Sequence, residues 1–364
     1  MNHVENQFFS KGLKKPKGVK DLVLDTALLK TLLGYCPKYK FTDLISSQSL
    51  AANLGIKSLY VKDERSRFDL GSFKSTGATY AIAKMAYNQL RNKKKFTKEQ
   101  LEKNLSHHTF VTASAGNHGI SMAVGARLFG ANAIVFLSKT VPKSFSKKLQ
   151  GYGAKVIFSG KNYEESMTAA ENYSKEKNYI LLSDSTWDTC SSGIDVMEGY
   201  LVLVEEIFDQ FTELGQSNPI SHVFLQAGVG GFAAAIAGLI RKKFDKQLKI
   251  IVVEPSSANT LFESIKSGKP TKVKGDDSVM GRLDCKEPSL SAFYSLALTS
   301  NYFMHLDDKY VVKTIKNLKN FGIETSASGG AGLVGLNYAS QESLFGLNKN
   351  SSALIFLTEG AVLV

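Results

Sequence analysis

The chain of 364 residues predicts an α/β fold built on parallel sheets. Apolar runs of strand length alternate with longer segments of helical character, and Gly, Pro, Ser and Asp punctuate the runs, as suits strands buried on both faces. A third observation is one unit that reads as a complete crossover. Phe136 to Phe158 is strand, lysine-rich helix, a Gly151-Tyr152-Gly153 stop, and strand again.

In chain order, Met1 to Gly18 is polar and lysine-containing and is expected to be partly disordered. Leu59-Tyr60-Val61 is the next strand-like run, and Ala78 to Leu90 reads as a helix. His108-Thr109-Phe110-Val111 is β-like, and a helix is expected from Ile120 to Ala126. Further strands are expected at Ala133 to Leu137, Lys155 to Phe158, Tyr179 to Leu182, Phe224 to Gln226, Ile250 to Val253 and Ala353 to Leu357. Ala233 to Lys242 is an apolar helix that follows a glycine loop. No internal repeat or low-complexity tract interrupts the pattern, and the length allows two domains.

Composition excludes several classes of function. No stretch of about 20 apolar residues offers a membrane span, and the N-terminal residues lack signal-peptide character, so a cytoplasmic protein is expected. Cys36, Cys190 and Cys285 lie far apart without metal-site spacing, which signals neither a disulfide framework nor a zinc site. The net charge of +12 raises nucleic-acid binding as a rival reading. Against it, the basic residues are scattered, mostly lysine and interleaved with acids. The densest run, Arg91 to Lys98, reads as a solvated connection between helices, so no nucleic-acid partner is expected.

Three segments carry chemistry. Ser72-Phe73-Lys74-Ser75 places a lysine between a bulky aromatic and a helix start. Apolar surroundings disfavour an ammonium and lower its pKa, as a Schiff-base lysine requires, although a lysine whose stem merely packs on the helix start fits the same letters. Ser114-Ala115-Gly116-Asn117-His118-Gly119 stands at a strand-to-helix turn, where free backbone N–H groups can dock an anion. Gly228-Val229-Gly230-Gly231-Phe232 has the strand, glycine loop, helix order of a phosphate site. This loop also satisfies a loose dinucleotide fingerprint, with Glu254 as a ribose ligand, but that alternative explains neither of the other two segments.

Together the segments resemble the fold-type II pyridoxal-phosphate enzymes. The wording around Lys74, with Gly125 to Gly130, Ser183 to Trp187 and Thr358-Glu359-Gly360-Ala361, is most similar to the diaminopropionate ammonia-lyases. The resemblance implies two doubly wound parallel-sheet lobes with pyridoxal 5'-phosphate between them. Residues 1–74 and 191–364 would form the large lobe and 75–190 a smaller inserted one. It also implies a homodimer and α,β-elimination from a small β-substituted L-amino acid, as in conversion of 2,3-diaminopropionate to pyruvate and ammonia. Lys74 would hold the cofactor and act as base, and Asp184 would protonate the leaving group. Asn117 would bond the ring hydroxyl, Gly228, Val229, Gly230, Gly231 and Phe232 the phosphate, and Thr358 the ring nitrogen. Ser114, Ala115, Gly116 and His118 would hold the substrate carboxylate.

Two departures qualify the substrate. Ala115 stands where the ammonia-lyases carry an aspartate that acts on the D-isomer, and Ser114 to His118 is worded as in serine and threonine dehydratases. Ser326-Ala327-Ser328-Gly329 replaces a Gly-Glu-Ser-Gly pattern, removing a second carboxylate. An L-serine or L-threonine dehydratase is therefore the alternative enzyme, and a catalytically silent binding protein the alternative of another class.

Overall fold

A computed structural model describes residues 1–90, 93–216, 219–244 and 247–361, so Arg91 and Asn92 of the basic run lie outside the described residues. The chain begins with β1 (Asn2–Glu5), β2 (Leu44–Ser46) and β3 (Ser58–Asp63). It then forms β4 (Thr109–Ala113), β5 (Asn132–Leu137), β6 (Lys155–Phe158) and β7 (Ile180–Leu181) as one separate sheet in the order β6-β5-β4-β7. All pairs in that sheet are parallel. β8 (His222–Gln226), β9 (Lys249–Pro255), β10 (Tyr302–Leu306) and β11 (Ser352–Leu357) join the first three strands in a sheet ordered β1-β10-β9-β8-β11-β3-β2. Its interior pairs are parallel, and the edge strands β1 and β2 run antiparallel to their neighbours.

The apolar runs form strands because both faces are covered. Every residue of β4, β8 and β11 is buried, with Phe110, Phe224 and Phe356 among the largest enclosed side chains. The crossover unit forms as the sequence predicts, with helix Lys143–Gly151 between parallel β5 and β6 and Gly153 at φ +92° turning the chain back.

The N-terminus departs from expectation. Residues 1–18 are not a loose polar arm, since β1 pairs with β10 and Asn6 Nδ2 donates to the carbonyls of Ala297 and Ser300 at 2.9 and 2.7 Å. Phe8 and Leu13 pack against the core. An edge strand leaves one side to water, so its polar composition does not exclude pairing.

The helix Lys74–Asn88 packs on helices Asn117–Leu128 and Gly193–Tyr200. Its approach is fixed by a sharp turn, with Phe68 and Asp69 at φ 55° and 58°. A buried charge network anchors that turn. Arg67 donates to Glu64 Oε2 at 2.7 Å and to Glu206 Oε2 at 2.8 Å, and Lys62 donates to the same Glu206 oxygen at 2.8 Å. All four side chains are fully enclosed, where loss of one partner would strand a buried charge. Lys74 is thus delivered by a rigid segment. The loops after β4, β8 and β11 carry Ser114, Gly228 and Thr358, which fits the rule that ligands bind beyond the carboxyl ends of parallel strands.

Candidate active site

Lys74 is the first residue of its helix, and its Nζ donates to Asp184 Oδ2 at 2.7 Å. Burial alone would push the ammonium down, but the charge and hydrogen bond of Asp184 outweigh it and lift Lys74 above the ordinary lysine range. The expected lowering does not occur in this state. Apolar neighbours were legible around Lys74; a carboxylate 110 residues away was not. For Asp184 burial pulls upward, yet the charges of Lys74 and His118 hold it far below the usual carboxylate range. Asp184 is therefore ionised here, and it can donate a proton only after receiving one.

The Ser114–Gly119 turn is shaped by its own serine. Ser114 Oγ accepts from the N–H groups of Gly116 and Gly119 at 3.3 and 3.1 Å. Ile120 N makes the first helical bond, to Gly116 O, which leaves the N–H groups of Ala115, Asn117 and His118 without backbone acceptors among the described residues. Neither Asn117 nor His118 caps the helix with its side chain. The His118 ring is buried and, with Nε2 2.9 Å from Leu182 O, donates there, while Nδ1 has no partner. Burial holds its pKa below the usual histidine value. Through Nε2 the ring anchors the segment leading to Asp184.

The glycine loop converges on the same place. Phe232 packs against Phe73, the residue before Lys74, with ring centroids 4.7 Å apart and planes tilted by 58°. Gly230 has φ +98°, and a Cβ there would stand 3.0 Å from Leu261 Cδ1. At Gly228 a Cβ would meet Cys285 Sγ at 3.0 Å and Leu283 Cα at 3.1 Å. Val229 O accepts from Ser289 N, which fixes the loop from behind. The N–H groups of Gly228 to Phe232, Gly231 included, have no backbone acceptor among the described residues, at the head of helix Gly231–Lys243.

Thr358 lies just beyond β11, buried, and its Oγ1 accepts from Gln226 Nε2 at 3.1 Å. Thr358 O accepts from Phe73 N, tying this strand end to the Lys74 segment. Glu254, the supposed ribose ligand, is fully buried and accepts from the backbone of Leu261 and Phe262. It is a structural cap, and the dinucleotide alternative loses its second element.

Sequence reasoning assigned no role to Glu359, Arg282, Ser326 or Cys285, all of which stand at the site. Glu359 Oε2 accepts from Asn117 Nδ2 at 2.6 Å, and its other oxygen accepts from Ser326 Oγ. A carboxylate is thus present beside Ser326 to Gly329 although that stretch has lost its own. Burial pushes the Cys285 thiol up to about 11, so it stays neutral beside the glycine loop.

Comparison with known proteins decides the family. Residues 36–358 match the family described as pyridoxal-phosphate dependent enzyme. The chain belongs to that family. A diaminopropionate ammonia-lyase of Salmonella typhimurium is 30% identical over 352 residues, covering 89% of this chain and 86% of the relative. A catabolic L-threonine dehydratase of Staphylococcus aureus is 28% identical over 286 residues, covering 78% and 71%. The crystal structure of the Escherichia coli diaminopropionate ammonia lyase in complex with D-serine superimposes with a TM-score of 0.85 at 27% identity, over 99% of this chain and 93% of the other. The predicted fold and the predicted cofactor class both stand.

The residues present fit pyridoxal phosphate. The run of N–H groups without backbone acceptors among the described residues, at a helix head and with no room for a Cβ at Gly228 or Gly230, suits a phosphate. A primary amine and a neutral buried hydroxyl, Lys74 and Thr358, supply the other two contacts such a cofactor needs. Among the described residues no cluster of side chains could hold a metal ion, and no helix is long and apolar enough to cross a membrane.

Proposed function

We propose that the protein is an ammonia-lyase that performs α,β-elimination on a small β-substituted L-amino acid. The observation that carries the reading is the hydrogen bond between Lys74 and Asp184, set between a carboxylate-binding turn and a phosphate-binding loop. Diaminopropionate is the substrate in the names of the Salmonella typhimurium and Escherichia coli relatives, and its conversion to pyruvate and ammonia is the reading we favour. L-Serine or L-threonine dehydration is the second reading, supported by Ala115 and the dehydratase-like turn.

When bound, pyridoxal phosphate supplies an aldehyde that condenses with amines and a ring that draws electrons from Cα. The chain's own residues do the rest. Gly228 to Phe232 hold the phosphate through backbone N–H groups, and Asn117 reaches the ring hydroxyl while its other N–H holds Glu359. Thr358 offers the ring nitrogen a neutral hydroxyl, which withholds positive charge from the ring. The N–H groups of Ala115 and His118 and the hydroxyl of Ser114 orient the substrate carboxylate, while the Gly116 N–H, bonded to Ser114 Oγ, holds that hydroxyl in place. Lys74 first gives its extra proton along the 2.7 Å hydrogen bond to Asp184. The neutral amine then takes the Cα proton as general base, and the protonated Asp184 delivers its proton to the leaving group.

The separate four-stranded sheet supports an inserted lobe at residues 75–190 within a large lobe of 1–74 and 191–364. A cytoplasmic homodimer completes the proposal, supported by family resemblance. The test is a panel of L- and D-amino acids with the cofactor-loaded protein, following ammonia and 2-oxo acids. Pyruvate from diaminopropionate supports the favoured reading, 2-oxobutyrate from threonine the second, and ammonia from none of them contradicts both.

A further inference from the structure

Arg282 enters the site from a segment that no motif marks. Its Nη1 donates to Ala115 O at 3.2 Å, and the same nitrogen lies 3.0 Å from where a Cβ on Gly116 would stand. The guanidinium therefore rests on the turn whose Ala115, Asn117 and His118 N–H groups have no backbone acceptor among the described residues. It is near enough to Lys74 to oppose protonation of that amine. Nε stands 4.0 Å from Glu359 Oε2, too far for a hydrogen bond, and that carboxylate is already held by Asn117 and Ser326. Nη2 has no acceptor among the described residues, and the side chain is 41% exposed to the cleft and solvent. The Arg282 backbone is held by Ser328, whose Oγ accepts from its N–H at 3.0 Å.

A planar cation with spare donors, laid beside a turn of free N–H groups, completes a binding site for one carboxylate. We propose that Arg282 is a substrate-binding residue that clamps the α-carboxylate against the Ser114–His118 turn, adding a cationic hold to the turn's neutral donors. The inference rests on the elimination reading for the identity of the ligand as an amino acid, but not on the reaction. The clamp acts on the group common to all amino acids, so it sets affinity without choosing among side chains.

The test uses the cofactor-loaded enzyme and L-alanine, which has the carboxylate and no leaving group, with binding followed by calorimetry. L-Alaninamide, which lacks the charge, and L-aspartate, which adds a second one, are the controls. Arg282→Gln is expected to weaken L-alanine roughly 10- to 100-fold, to leave the weak binding of L-alaninamide unchanged, and to spare cofactor content. Arg282→Lys should lie between the two. Unchanged L-alanine affinity, equal losses for the amide, loss confined to L-aspartate, or no measurable L-alanine binding by the wild type would each overturn the proposal. If the wild type releases ammonia from no amino acid while L-alanine binding still depends on Arg282, the elimination reading fails and the clamp stands.

Discussion

Lys74 Nζ and Asp184 Oδ2 lie 2.7 Å apart and share one hydrogen bond, so each sets the charge of the other. The carboxylate keeps the lysine protonated and the ammonium keeps the aspartate ionised. The resemblance of Ser183 to Trp187 implied a proton donor at Asp184; what that context does not reveal is that Lys74 is its hydrogen-bond partner.

Replacing Asp184 by Asn removes the proton acceptor and leaves the shape. The cofactor should be retained, while kcat for elimination should fall by roughly 10²- to 10⁴-fold, the range lost with a well-placed acid or base. Rate measurements beside an absorbance titration of bound cofactor separate the two effects. Undiminished kcat would remove Asp184 from the proton path.

Gly230 is the loop position where a side chain is least tolerable, through both its positive φ and the 3.0 Å approach of Leu261. Gly230→Asp adds a charge facing the phosphate and should raise the cofactor dissociation constant at least 10²-fold. Thermal melting of the cofactor-free protein controls for folding. Unchanged affinity would mean that the loop binds something other than the phosphate.

Much of this site is legible in the sequence. Lys74, the Ser114–Gly119 turn and the glycine loop are local signals, written within a few consecutive residues at strand-to-helix turns, and the buried strands announce themselves by composition. What stayed hidden is long-range. Glu359 meets Asn117 across 242 positions and Arg282 meets Ala115 across 167, contacts made by tertiary packing with no periodicity to mark them. The N-terminal strand was missed because an edge strand can be polar, and β2 and β10 were missed with it. The high pKa of Lys74 was missed because its partner lies in another segment of the chain.

Stereochemistry follows from Ala115. With no carboxylate at 115, the base proposed for Cα is Lys74, which would serve only the isomer whose Cα–H points toward it. L-Substrates should exceed D-substrates in kcat/KM by roughly 10²- to 10⁴-fold, measured with both enantiomers of diaminopropionate or of serine. Comparable rates would demand a second base, for which Asp184 and Glu359 are the carboxylates at hand.

Glu254 makes stability depend on pH. Burial lifts its carboxyl to about 8, against an unfolded value of about 4.3. Below about pH 4.3 both states hold the proton; between there and pH 8 the folded state holds more, so raising pH through that window costs stability; above it the loss is complete. Relative to Glu254→Gln, the wild type should therefore lose stability from about pH 5 to pH 8, read as the difference in denaturant midpoints. A constant difference would show that the two backbone N–H bonds from Leu261 and Phe262 keep Glu254 ionised throughout.

Lys74 is the residue to which the cofactor is proposed to attach. Borohydride reduction of the cofactor-loaded protein, followed by peptide mapping, should place a stable pyridoxyl group on Lys74, and Lys74→Ala should lose both the label and the visible absorption. Label on any other lysine, or a visible band that survives in Lys74→Ala, would contradict attachment at Lys74.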